Sequence, residues 1–194
     1  MIMGWQSKLS TLVEASKQGH PDLRLRFRYG LPLDAGQVGV ILHDIAQEFE
    51  LGPKVVGPLH DLYGIVDGLN ILGDFKILGL SDGSFAFGRQ NDEAGKLRNF
   101  NHKNLQILKE CIDKEALEGS IALIFGSDEV GDNLSLCDNG TVVIAGYNTP
   151  QPQVIAHSLD EFLDDICMGS GFARYYEADD NHPWVLLLEE FGFL

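Results

Sequence analysis

Two runs rich in apolar residues, Asn133-Leu134-Ser135-Leu136-Cys137 and Thr141-Val142-Val143-Ile144-Ala145, flank Asp138-Asn139-Gly140. An Asn-Gly step readily takes the positive φ that a tight turn between antiparallel strands needs, so these runs predict a β-hairpin. Just ahead of it, Ile121-Ala122-Leu123-Ile124-Phe125 is apolar at every position. A continuous run of that kind suits a strand buried on both faces. Such a sheet must be covered, and the rest of the chain offers helices as the cover.

Trp5, Leu9, Leu12, Val13 and Ser16 fall on one side at helical spacing, which predicts a helix over Trp5–Lys17, stopped by Gly19-His20-Pro21-Asp22. Leu23 to Tyr29 alternates apolar and basic residues and predicts a strand with Arg24, Arg26 and Arg28 in a row on one face. That row suits either an edge strand guarded by charge or an anion-binding face. Asp34 is an N-cap for a helix carrying Val38, Ile41, Leu42, Ile45 and Phe49, and Gly52-Pro53 breaks it. Leu59, Leu62, Tyr63 and Val66 predict a short helix ending at Asp67-Gly68, and the stretch from Ile71 to Gly88 suits loops or a small hairpin. Asn101–Glu118 predicts another helix with Leu105, Leu108, Ile112 and Leu117 inward. Ser158 and Glu161 form a capping-box pattern ahead of Phe162, Leu163 and Ile166, and Pro183 to Phe191 predicts a closing apolar helix. The expected fold is therefore α+β, a mainly antiparallel central sheet flanked by helices. A length of 194 residues suits one domain.

The net charge is -15, and it is unevenly spread. Residues 110–194 carry seventeen acids against Lys114 and Arg174, whereas residues 1–30 carry five Lys/Arg against Glu14 and Asp22. An acidic face repels nucleic acid and anionic lipid and steers a basic partner toward itself. The same excess also serves solubility alone. The cysteines Cys111, Cys137 and Cys167 are odd in number and far apart, which argues against a disulfide framework or a C-x-x-C site and predicts buried thiols. The first residues lack the pattern of a secretory signal, and no apolar run reaches the ~18 residues of a membrane span. Cytoplasm is the expected compartment.

Catalytic signatures are not apparent. His43-Asp44 and His60-Asp61 repeat a pair, yet neighbours on a helix point about 100° apart, so neither pair forms a shared site. No nucleophile elbow, Walker loop or dinucleotide fingerprint occurs. Three carboxylate clusters stand out: Asp128, Glu129 and Asp132 after the buried run; Asp160, Asp164 and Asp165 beside Glu161; and Glu177, Asp179 and Asp180. The first could hold Ca²⁺ or Mg²⁺, but its spacing does not match the calcium loop. Without an accompanying base or nucleophile, the clusters read as a binding surface. Tyr147, Phe172, Tyr175 and Tyr176 are aromatic anchors for its centre, with Tyr175-Tyr176 equally suited to the core.

Three segments carry a resemblance to a known family. They are Val56-Gly57-Pro58-Leu59-His60-Asp61-Leu62-Tyr63-Gly64-Ile65-Val66-Asp67-Gly68; Ile124-Phe125-Gly126-Ser127-Asp128 followed by Gly131-Asp132-Asn133-Leu134-Ser135-Leu136; and Val154-Ile155-Ala156-His157-Ser158-Leu159-Asp160-Glu161-Phe162-Leu163. In this order, over about residues 31–170, they resemble the SUKH superfamily, which groups yeast cell-wall-assembly regulators with many bacterial proteins. The resemblance implies a non-enzymatic α+β domain without a cofactor. It further implies an immunity protein that binds a cognate toxin, often a basic nuclease, or else a regulatory scaffold. Direct nucleic-acid or membrane binding is not expected. A third reading, a metal-dependent hydrolase using the loop carboxylates, stands beside these two.

Overall fold

The computed structural model describes residues 4–71, 75–81, 97–113, 117, 119–146 and 148–194. Strands β1 (Phe27–Tyr29), β2 (Leu69–Ile71), β3 (Phe75–Ile77), β4 (Ile121–Asp128), β5 (Asn133–Cys137), β6 (Val142–Ala145) and β7 (Gln153–Ala156) form one sheet in chain order. Every neighbouring pair is antiparallel. The fold is thus α+β, an antiparallel meander flanked by helices, as the sequence predicts. The hairpin of β5 and β6 closes through Gly140 at φ 93°, and β4 lies beside it.

Period-two alternation, interrupted on β4 by a register shift between Ile121 and Leu123, divides the strands between two layers. Phe75, Ile77, Leu123, Phe125, Leu134, Leu136, Val142 and Ile144 face the larger core with the N- and C-terminal helices. Ile121, Ile124, Cys137, Val143 and Ala145 face the opposite side, where α5 (Leu97–Cys111) covers them with Leu105 and Leu108. The helix predicted over Asn101–Glu118 thus begins earlier and stops at Cys111. Residues 114–116 and 118 of that prediction lie outside the described residues. So do residues 72–74 and 82–88 of the predicted loop or hairpin stretch, whose remaining part does form the β2–β3 hairpin.

Asn101 of α5 is set against the sheet and is 1% exposed. Its Nδ2 donates to the Ile124 carbonyl at 2.7 Å and to the Leu97 carbonyl at 2.8 Å, while its Oδ1 accepts from the Ile124 N–H at 2.8 Å. The amide satisfies strand groups where the β4–β5 register shifts between Ile124 and Gly126. Asn101→Ala strands both Ile124 groups in an apolar layer, so a stability loss of about 2–4 kcal/mol is expected in urea unfolding. Asn101→Asp should cost at least as much, since it also buries a charge.

On the other face, α1 (Trp5–Lys17) has the predicted bounds and buries Trp5, Leu9, Leu12 and Val13. The alternating segment 23–29 departs from its prediction. Pro21 at the first helical turn, with Asp22 behind it, starts helix α2 (Pro21–Arg26), and only Phe27–Tyr29 is strand. Leu23 is buried but Leu25 is 78% exposed, so Arg24, Arg26 and Arg28 do not form one row. Arg26 instead pairs with Asp22 at 3.3 Å and reaches the Pro183 carbonyl at 3.4 Å. β1 does lie at the sheet edge with Arg28 exposed, matching the charge-guarded edge in part.

Helix α3 (Ala35–Glu48) starts with Asp34 accepting from the Gly36 N–H while Gln37 reaches back to the Asp34 N–H. Helix α4 (Pro53–Tyr63) begins on the proline that separates it from α3, and Val66 lies buried just past its end. Ser158 caps α6 (Leu159–Glu161) by accepting from the Glu161 N–H, but the Glu161 carboxylate returns to the His157 N–H rather than to the cap residue. The chain then runs on as a π-helical turn, Phe162–Cys167, before α7 (Gly171–Tyr176) and α8 (Pro183–Glu190). Trp184 fixes α8 by donating Nε1–H to the Cys167 carbonyl at 2.8 Å. Among the described residues no helix is long and apolar enough to cross a membrane.

Candidate protein-binding site

The first acidic cluster occupies the turn between β4 and β5. Gly131 takes φ 90°, a conformation that L side chains rarely adopt, and so lets the chain reverse there. Asp128 Oδ1 accepts from the Val130 N–H at 3.1 Å and from the Asp132 N–H at 2.9 Å. Asp132 Oδ1 accepts from the Asn148 N–H at 3.1 Å, and its Oδ2 accepts from the Thr149 hydroxyl at 2.7 Å. Asp132 is 1% exposed and Asp128 7%. These two carboxylates therefore act inwardly, as posts of the turn, and do not present themselves to a partner. The side chains that project from the turn are Glu129 and Val130, the latter 60% exposed.

Burial raises the Asp128 carboxyl above the ordinary range, and the neighbouring Asp132 charge adds to the rise. A raised folded-state value means that Asp128 favours the native state below its unfolded pKa, and that this contribution is lost as pH rises through the folded value. Asp128→Asn keeps an oxygen for both N–H groups and removes the charge. It should flatten the pH dependence of stability across the carboxylate range without lowering stability at pH 7. Asp128→Ala, which removes the acceptor, should destabilise by about 1–3 kcal/mol. Urea melts from pH 4 to 7 separate the two results.

The third cluster arrives beside the first through aromatic packing. Phe75 pairs in register with Asp128 across β3 and β4, and its ring lies 5.7 Å from Tyr175 and 5.1 Å from Tyr176, centroid to centroid. The Tyr175 phenol is pushed up to about 12, first by burial and then by the Asp128 and Asp132 charges. Two residues on, Glu177 ends α7 in the left-handed conformation at φ 49° and is exposed. Asp179 and Asp180 follow, both exposed, with Asp179 Oδ1 accepting from the Asn181 N–H. The turn at 128–132 and the end of α7 are thus linked through Phe75, and the residues they leave exposed include Glu129, Val130 and Glu177.

The second cluster is engaged by α1 and by the start of α7. Asp160 accepts from Trp5 Nε1 at 2.5 Å. Asp164 pairs with Lys8 at 3.0 Å, and Asp165 pairs with Arg174 at 2.7 Å and accepts from the Gly171 N–H at 3.0 Å. Lys8, only 7% exposed, also donates to the Asp164 and Met168 carbonyls at the end of the π-helical turn. These acids hold helices together. Phe172 is 0% exposed and packs in the core, so it presents nothing to a partner, and Tyr147 lies outside the described residues. Sequence reading missed Val130, whose signal was an apolar residue set inside an acidic turn, and Lys8, whose burial has no local signal.

The remaining reactive groups are quiet. Burial pushes the Cys137 thiol up to about 11 and raises that of Cys167, which keeps both protonated. Cys111 departs from its expected burial and is exposed on α5. His102 pairs with Glu48 at 2.6 Å, as does Arg98, so these groups tie α5 to α3. Among the described residues, no group of three or more His, Cys, Asp or Glu side chains could hold a metal ion. No protein-family model matches this chain, and no match was found among curated proteins.

Proposed function

We propose that this chain is a SUKH-type, non-enzymatic protein-binding domain, and that it serves as an immunity protein which neutralises a basic toxin such as a nuclease. The observation that carries the binding reading is the link between two acidic segments through Phe75, which pairs in register with Asp128 and packs on Tyr175 and Tyr176, with Glu129, Val130 and Glu177 exposed on those segments. An aromatic and an aliphatic side chain on segments that also expose carboxylates combine apolar contact with long-range attraction for a cationic surface. A nuclease that grips phosphates is basic for that reason, and an acidic inhibitor competes for the same cations.

Affinity capture on the immobilised chain, from lysate of the source cell at low salt, tests this reading. A basic toxin released by a salt step, and neutralised by the chain in an activity assay, is the expected result. Recovery of only further copies of the chain would favour the regulatory scaffold instead. A partner held equally well at high salt would remove the role given to the acidic rim.

A further inference from the structure

Asn139 is the only asparagine of the sequence that glycine follows, and it sits at the tip of the β5–β6 hairpin. The Gly140 N–H donates to the Cys137 carbonyl at 2.9 Å, and the Cys137 N–H donates to the Thr141 carbonyl at 2.9 Å. With Gly140 at φ 93°, this is the three-residue loop in which a left-handed glycine follows a tight turn. Asn139 is exposed, so water reaches it. Its Oδ1 accepts from the Thr141 N–H at 2.9 Å, which folds the side chain back along the main chain on the Gly140 side. The same donor withdraws electron density from Cγ, as a donor aimed at a developing oxyanion does. Gly140 adds no side chain to obstruct its own nitrogen.

We propose that Asn139 is a self-modification site, where the folded turn converts the asparagine to isoaspartate and aspartate. The Gly140 nitrogen attacks Cγ, forming the N–Cγ bond and losing its proton to water. The Cγ–Nδ2 bond breaks, and Nδ2 leaves as ammonia with a proton taken from water. Both reacting groups belong to neighbouring residues, so no encounter has to be arranged. A water molecule then opens the cyclic imide. Attack at Cγ gives aspartate, whereas attack at the Asn139 main-chain carbonyl gives isoaspartate, whose chain runs through the side-chain carbon. No electrons are gained or lost, and water is the only co-reactant. One contact opposes the first step: the bond from Gly140 to the Cys137 carbonyl must open. Fraying of the turn therefore gates the reaction, and unfolding of the sheet does not. Either product places a new negative charge next to Asp138. Isoaspartate also lengthens a turn whose length sets the pairing of Leu136 with Val142.

The reaction needs no partner, so it is tested on the chain alone. The full chain is incubated at mildly alkaline pH in water enriched in ¹⁸O, without urea and at urea concentrations below the unfolding midpoint. Proteolytic peptides are mapped by mass spectrometry, and isoaspartate is counted with a carboxyl methyltransferase specific for it. The expected result is heavy oxygen and methyl acceptance in the peptide that contains residue 139. Its rate should exceed that at every other asparagine by at least about tenfold and should not change with urea below the midpoint. Asn139→Ser should abolish the signal. No conversion at Asn139 in the folded chain, over a period in which the urea-unfolded chain converts, would overturn the proposal and assign the Gly140–Cys137 bond a protective role. A rate that rises in step with the unfolded fraction would overturn it as well, since the folded turn would then take no part.

Discussion

Phe75→Ala should lower stability by about 3–5 kcal/mol and, at lower temperature where the fold persists, loosen the proposed binding rim. Phe75 is 0% exposed and meets Phe162 edge-on at 5.2 Å, with Phe172, Tyr175 and Tyr176 around it. Removing the ring leaves a cavity between β3 and α7, so α7 loses its seat on the sheet. For a chain of this size the melting temperature should fall by about 6–20 °C. Tyr175 should become more solvent-accessible, which acrylamide quenching or hydrogen exchange at α7 would register. A drop under about 1 kcal/mol with α7 unchanged would mean that the rim is held by something other than this cluster.

The second large effect is expected at Gly126, in the middle of β4. A Cβ there would lie 2.3 Å from the Lys76 carbonyl oxygen and 3.3 Å from Leu134 Cδ1. The first neighbour is backbone of β3 and cannot turn aside as a side chain could. Gly126→Ala must therefore push β3 away from β4, where Ile77 and Gly126 are paired. A loss of at least about 3 kcal/mol follows, read as a shift of the urea midpoint. Because β3 carries Phe75, this variant should also disturb the Tyr175 environment. Gly131→Ala differs in kind, since nothing crowds that position and the cost comes from its positive φ alone.

Much of this fold was legible because local signals agreed with one another. The Asn-Gly turn between two apolar runs, the continuous apolar run of β4 and the helical stripe of α1 with its stop each pointed to the element that forms. Segment 23–29 misled because leucine–arginine alternation satisfies a strand period, while Pro21 and Asp22 open a helix over the same residues. Packing decided the outcome: Leu23 went inside and Leu25 outside. β7 escaped notice for a different reason. Its four residues run directly into the Ser158 cap, and so short a strand is defined by its neighbour β6 rather than by its own pattern.

The acidic clusters were visible in the sequence, but their division of labour was not. Charge counting treats Asp132 and Glu129 alike, whereas Asn148 and Thr149, more than fifteen residues away, draw only the former inside. Likewise Asp160, Asp164 and Asp165 are claimed by Trp5, Lys8 and Arg174, none of them predictable from the helix they sit on. What remains outward on the β4–β5 turn and after α7 is a smaller set, Glu129, Glu177, Asp179 and Asp180. A rim of few charges makes a sharper claim than a total of -15, because two substitutions should be enough to reverse its effect.

The association rate of the captured partner tests that claim most directly. It should be measured by stopped flow across a salt series for the native chain and for the Glu129→Lys, Glu177→Lys double variant. With electrostatic steering the native rate falls steeply as salt rises, by tenfold or more. The variant should be slower by about tenfold at low salt and nearly salt-independent, with an unchanged urea midpoint, since both side chains are exposed. A native rate indifferent to salt, or a variant that associates as fast as the native chain, would contradict binding through this acidic rim.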